Sequence, residues 1–158
     1  MKLENKVVAI TGAGGIICSA FAKALAQEGA KVALLDINYD AAKAFADEIG
    51  DNAIAIRCNC LDKESIIEAK NTINESFGAV NFLINGAGGN NPRATTDNEY
   101  QHEAKEGGKS FFDLEASGVD FVFKLNFQGT LLPTQAFAKD MVAKKAGVIL
   151  NISSMNAY

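Results

Sequence analysis

The stretch Lys6–Ala20, KVVAITGAGGIICSA, changes its periodicity within a single turn. Lys6–Thr11, KVVAIT, is a short apolar run rich in β-branched residues and reads as a buried strand. Gly12, Gly14 and Gly15 interrupt it. Ile17, Ala20, Phe21, Ala24 and Leu25 then recur three and four residues apart, and Gly29 stops the pattern. That spacing predicts an amphipathic helix with a glycine at its C-terminal end.

The same alternation repeats downstream. KVALLD, Lys31–Asp36, predicts a second strand, and Ala41, Ala44, Phe45 and Ile49 predict a second helix closed by Gly50. AIAIRCN, residues 53–59, predicts a third strand. Ile66, Ala69, Ile73 and Phe77 mark a third helix that ends at Gly78. VNFLIN, Val80–Asn85, is the fourth strand and GVILNIS, Gly147–Ser153, the last. The strands read as continuous apolar runs, as in a parallel sheet covered on both faces. Right-handed crossovers then give an α/β, doubly wound (Rossmann) fold over residues 1–158 as a single domain. Between the fourth and fifth strands, Gly86–Ser110 is polar and glycine-rich, long enough to suggest a functional loop. A long helix from about Val119 to Val142 should be kinked by Pro133.

Composition narrows the partners. The 158 residues are 48% hydrophobic, and 15 basic against 19 acidic residues leave a net charge of -4. With a pI near 5.0 and no basic patch, nucleic acid is not an expected partner. No apolar stretch approaches membrane-spanning length, and no secretory leader is evident. Cys18, Cys58 and Cys60 are odd in number and lack Cys-x-x-Cys spacing, which suits a reducing, cytoplasmic setting. Cys58 and Cys60 would point to the same side of a strand, as small core residues or as a thiol pair or metal site.

A strand–glycine turn–helix unit can hold a phosphate, because the first N–H groups of a helix have no internal acceptor and the helix dipole favours an anion. Gly12, Gly14 and Gly15 supply the freedom for a tight turn. A Gly-x-Gly-x-x-Gly pattern starts at Gly12 and Gly14 and fails at Ile17. Ile16 and Ile17 are expected to offer their N–H groups while their side chains pack inward, with Cys18 small enough for close helix–strand contact. Asp36 ends the second strand, 24 residues beyond Gly12. A carboxylate there can accept from the adenosine ribose hydroxyls of a dinucleotide. Ile37 follows it and no arginine lies in the turn. A 2′-phosphate would be repelled and find no obvious partner, so NAD is the expected cofactor over NADP.

TGAGG (residues 11–15), Asp36, NGAG (85–88), LNFQG (125–129) and NISS (151–154) occur in this order on these elements. The chain thereby resembles the short-chain dehydrogenase/reductase family over all its residues. The resemblance implies that Asn85, Gly86 and Ala87 line the cofactor near its adenosine ribose. Asn85 is equally read as a strand-end cap. It implies that Asn59 and Cys60 lie at the adenine, with Asn59 where the family usually has aspartate. Asn126 matches the helix asparagine that holds a proton-relay water. Ser154 matches the serine that bonds the substrate oxygen, although Ser153 is the alternative inward residue. Both Asn126 and Ser154 are therefore candidate catalytic residues. The family's Tyr-x-x-x-Lys, placed about a dozen residues beyond the serine, is missing there, and Tyr158 is only four residues beyond Ser154. The expectation is the N-terminal part, with five strands, of a longer enzyme, inactive as it stands.

NGAGGNNPRATTDNE (85–99), FFDL (111–114) and NISSMNA (151–157) further resemble the sugar-acid branch that includes D-mannonate oxidoreductase, also called fructuronate reductase. Asn90, Asn91, Arg93, Thr95 and Thr96 offer the donors and acceptors a polyhydroxy carboxylate needs. Asn91, Arg93 and Ser154 are the candidate substrate contacts. Arg93 either pairs with the carboxylate or is a solvated loop residue. His102, the only histidine, has no expected catalytic part, and no metal is expected. The expected activity interconverts a keto sugar acid and its hydroxy acid. A gluconate-type or other polyol dehydrogenase and a non-catalytic dinucleotide-binding module are the alternatives. By resemblance the assembly is a homo-oligomer, a tetramer.

Overall fold

The computed structural model of the chain describes residues 2–98 and 107–154. Along it run β1 Val7–Thr11, α1 Ile16–Gln27, β2 Lys31–Asp36, α2 Tyr39–Ile49, β3 Ala53–Arg57 and α3 Lys63–Ser76. After these come β4 Phe82–Asn85, α4 Ala116–Phe123, α5 Gly129–Lys144 and β5 Val148–Asn151. The five strands form one parallel sheet in the order β3-β2-β1-β4-β5. This is the doubly wound arrangement expected from the alternation of strand and helix. The chain starts in the middle of the sheet and winds outward both ways, so a crevice opens between the carboxyl ends of β1 and β4.

Each strand divides its side chains between two helical layers. Val7, Ala9, Ala33, Leu35 and Leu83 face α3 and α5 and meet Ile66, Ile73, Phe137 and Met141. Val8, Ile10, Val32, Leu34 and Ile84 face α1 and α2 and meet Cys18, Ala22, Ala26, Ala42 and Ala46. That is why the central strands carry no polar alternation. β5 differs: it lies at the edge of the sheet beside β4, and Val148 and Leu150 are 55% and 48% exposed.

Several sequence expectations need correction. The inner face of α1 is Cys18, Ser19, Ala22 and Ala26. Of the large residues in the expected stripe, Ile17 and Phe21 are exposed. Ile16 and Ile17 do not pack inward: they are 86% and 64% exposed. The fully buried positions of α1 are small residues, with Leu25 packed partly buried beside them and Ile16, Ile17 and Phe21 turned outward. In α2, Ala42 and Ala46 are the fully buried positions, and Phe45 and Ile49 of the expected stripe pack partly buried against the same cluster. The third strand ends at Arg57, so Cys58 and Cys60 lie in the segment after it and not on a strand face. The last long helix starts earlier than expected, at Ala116, and opens into a π-helical turn, Lys124–Gln128. Pro133 is buried inside α5, and this widened turn precedes it. Proline supplies no N–H to the carbonyl one turn back, and π-turns of this kind recur at functional sites.

Candidate functional site

The β1–β4 crevice holds a cavity of about 920 Å³. Its walls come from the segments that follow β1, β2, β3 and β4, with Phe121 and Leu125 added from the long helix. Gly12 turns the chain out of β1 with φ +68, a conformation costly for any side chain. A Cβ there would also lie 2.8 Å from the Ala87 nitrogen and the Gly86 oxygen. Gly15 closes the turn by donating its N–H to the Gly12 carbonyl at 3.1 Å. As the residue before α1, Gly15 brings no capping side chain, and the first turn contains no acid. The N–H groups of Ile16, Ile17 and Cys18 therefore open the helix without an internal acceptor. Such an end favours an anion.

Gly14 serves a different purpose. Its N–H donates to Asp36 Oδ2 at 2.8 Å, and the Asn38 N–H donates to Asp36 Oδ1 at 2.8 Å. A Cβ on Gly14 would come within 3.0 Å of that carboxylate. Gly14 thus sets Asp36 in place, and Asp36 lies on the cavity wall. Each carboxylate oxygen keeps a free lone pair for a further hydroxyl.

Thr11 was not singled out from the sequence. Its buried Oγ1 accepts from Gly86 N–H at 3.1 Å and Ala87 N–H at 3.2 Å, tying the ends of β1 and β4 together. Its signal is positional, a lone hydroxyl ending an apolar strand. Gly86 is held tightly from the other side, since a Cβ there would collide with Cys18 Sγ. The expected close contact of Cys18 is therefore made against Gly86.

Gly12, Gly15, Ile16, Ile17, Asp36, Asn59, Cys60, Gly86 and Ala87 all line the one cavity. Asn59 is partly committed: its Oδ1 accepts from Leu61 N–H at 3.0 Å, and its own N–H donates to Ser65 Oγ. The three thiols are free and buried. Burial, followed by the charge of Cys60, pushes Cys58 up to about 11, and burial raises Cys18 and Cys60 as well. They are protonated near neutrality and act as small apolar wall groups. Among the described residues no group of histidine, cysteine and carboxylate side chains is arranged for a metal.

Other candidates stand apart from this wall. Asn85 is 2% exposed and donates through Nδ2 to Thr134 Oγ1 at 3.0 Å and Asn151 Oδ1 at 2.8 Å. Its side chain ties β4 to β5 and α5. Asn126 sits in the π-helical turn and grips Gly89: Oδ1 accepts the Gly89 N–H at 3.0 Å, and Nδ2 donates to the Gly89 carbonyl at 2.8 Å. Asn91 Oδ1 accepts from Arg93 N–H, starting the short turn Pro92–Ala94. Arg93 is exposed, and its backbone packs on the buried Gly118. Ser154 is exposed, three residues beyond the end of β5. His102 and Tyr158 lie outside the described residues.

One cation was overlooked. Arg57 pairs in register with Asp36 across β2 and β3. Its Nη1 donates to the Ile37 carbonyl at 2.9 Å, and its guanidinium carbon lies 5.7 Å from the Tyr39 ring centre. No local spacing in the sequence signals this, because 20 residues separate Arg57 from Ile37.

The family profile described as short chain dehydrogenase matches residues 6–158. An uncharacterised oxidoreductase of Haemophilus influenzae is 55% identical over 160 residues, covering 99% of this chain and 56% of the relative. The uncharacterised oxidoreductase UxuB of Bacillus subtilis is 45% identical over 159 residues, covering 99% of this chain and 57% of its own length. A crystal structure with bound NAD, of a Haemophilus influenzae protein provisionally described as a D-mannonate oxidoreductase, superposes with a TM-score of 0.92. It is 55% identical, and the match covers 99% of this chain and 57% of that one. The chain thus spans little more than half the length of these relatives, and it belongs to the short-chain dehydrogenase family.

Proposed function

We propose that residues 1–158 form one NAD-binding domain, the N-terminal portion of a longer oxidoreductase that interconverts a keto sugar acid and its hydroxy acid, of the D-fructuronate/D-mannonate type. One observation carries the cofactor assignment. An acid-free, uncapped helix start and a carboxylate fixed by two backbone N–H groups line the same cavity. The N–H groups of Ile16, Ile17 and Cys18 would hold the pyrophosphate. Asp36 would accept from the ribose hydroxyls, and Asn59 and Cys60 would border the adenine. The relative solved with NAD supports the same choice. Bound there, the nicotinamide would accept or supply the hydride.

Ser154 would orient the substrate oxygen. Asn126 would hold the Gly88–Gly89 backbone, and with it the cavity floor, in place. No Tyr-x-x-x-Lys follows Ser154 in residues 155–158, and the one at Tyr39–Lys43 opens α2, so binding without turnover is what these residues are expected to perform alone. Arg93 and Asn91 would meet a sugar carboxylate. Both lie off the cavity wall, so a gluconate-type or other polyol is kept as the second reading. We further place the protein in the cytoplasm as a homotetramer without nucleic-acid or membrane partners. No helix among the described residues is long and apolar enough to cross a membrane.

Titration with NADH tests the cofactor assignment. Asp36→Ala should weaken NADH binding roughly tenfold or more, the worth of hydrogen bonds to a charged acceptor. Unchanged affinity would remove Asp36 from the site. For the substrate, Arg93→Ala should raise KM for a sugar acid and spare a neutral polyol. Equal effects on both would transfer the assignment to the polyol class.

A further inference from the structure

We propose that Arg57 is a specificity residue, a cationic partner for a 2′-phosphate kept at the edge of the adenosine ribose site. Exclusion of NADP would then rest on the negative charge of Asp36 alone and not on the lack of a cation. The inference builds on the NAD site proposed above.

Three observations carry it. First, Arg57 and Asp36 are register partners on neighbouring parallel strands, so both leave the sheet at the same edge. Second, Arg57 lies just off the cavity wall, with its Nη1 anchored on the carbonyl of Ile37, the wall residue that follows Asp36. The guanidinium is thereby held within one residue of the carboxylate, while Tyr39 flanks it. Third, it is exposed and uncommitted in charge. Among the described residues the ion pairs are Lys23–Glu48, Lys43–Asp47 and Lys70–Asp140, and none uses Arg57. A guanidinium has five N–H donors in a rigid fork, and among the described residues the Ile37 carbonyl takes one of them. A planar fork with spare donors is the group best matched to a phosphate.

Asp36 does not neutralise this cation. Its two oxygens face the N–H groups of Gly14 and Asn38, and no ion pair joins it to Arg57. The edge therefore carries one group that repels a 2′-phosphate and one that attracts it. Removing the carboxylate should leave the attraction.

The test is calorimetric titration of the protein with NADH, NADPH and adenosine 2′,5′-bisphosphate. Asp36→Ser should narrow the NADH preference over NADPH by at least about tenfold. Adding Arg57→Ala should then weaken NADPH and the bisphosphate by about tenfold, the scale of a charge-assisted contact, while NADH changes little. Arg57→Lys should restore part of that loss. If Asp36→Ser does not fold, the single variant Arg57→Ala still serves: competition against NADH should show NADPH weakened selectively. Parallel changes in NADH and NADPH, or no change in either, would overturn the role of Arg57 and leave the NAD site standing. Absence of NADH binding to the unaltered protein would overturn both.

Discussion

The two helical layers on this sheet are built from different residues. On one side α3 and α5 bring Ile66, Ile73, Phe137 and Met141 to the core. On the other, α1 and α2 bring Cys18, Ala22, Ala26, Ala42 and Ala46. The first layer is thick and gains its stability from buried area. The second is thin, and its thinness brings the start of α1 against the backbone of Gly86, where Cys18 leaves no room for a Cβ. Close approach on that side places a helix N-terminus in the crevice. One layer holds the fold together and the other also shapes the site.

The contrast can be broken by exchanging sizes. Phe137→Ala, in the thick layer, should cost about 3–5 kcal/mol in denaturant unfolding through the cavity it leaves, with NADH affinity unchanged in the folded fraction. A parallel loss of affinity would show that the layers are not separable. Ala22→Leu, in the thin layer, should cost less, about 1–3 kcal/mol, but should also weaken NADH by pushing α1 from the sheet. Unfolding and titration of the same sample would show it, and a stability loss without an affinity loss would end the distinction.

The smallest effect concerns Cys58. Its folded value of about 11 lies above the ordinary 9.0. Above pH 9 the unfolded thiol ionises while the folded one stays protonated, so stability should fall from about pH 9 towards 11. The contribution is fully present below that window. Cys58→Ala should flatten this part of the pH–stability curve, and an unaltered slope would assign the alkaline loss to other groups.

Much of the site was legible because it is local. Gly12 answers a backbone requirement, a positive φ, that shows directly as residue type. Asp36 was found because a strand-end acid at that spacing has a defined chemical use. The face of α1 was misread for a physical reason. Hydrophobic periodicity ranks residues by size and apolarity, so Ile17 and Phe21 were chosen over Cys18, Ala22 and Ala26. On this side the centre of the layer is filled by small residues, and the larger Leu25, Phe45 and Ile49 pack at its margin. Asn85 illustrates another limit. Its motif matched a cofactor-lining segment, but its direction depends on Thr134 and Asn151, which lie far along the chain.

From its own residues the chain determined the succession of strands and helices, the place of the sharp turn and the acid at the neighbouring strand end. These are set by backbone conformation and short-range periodicity, which residue type controls directly. The tertiary structure alone decided the distance of α1 from the sheet, the inward turn of Asn85, the grip of Asn126 on Gly89 and the arrival of Arg57 beside Asp36. Those follow from layer thickness and strand register, which packing between distant segments fixes and no local stretch encodes.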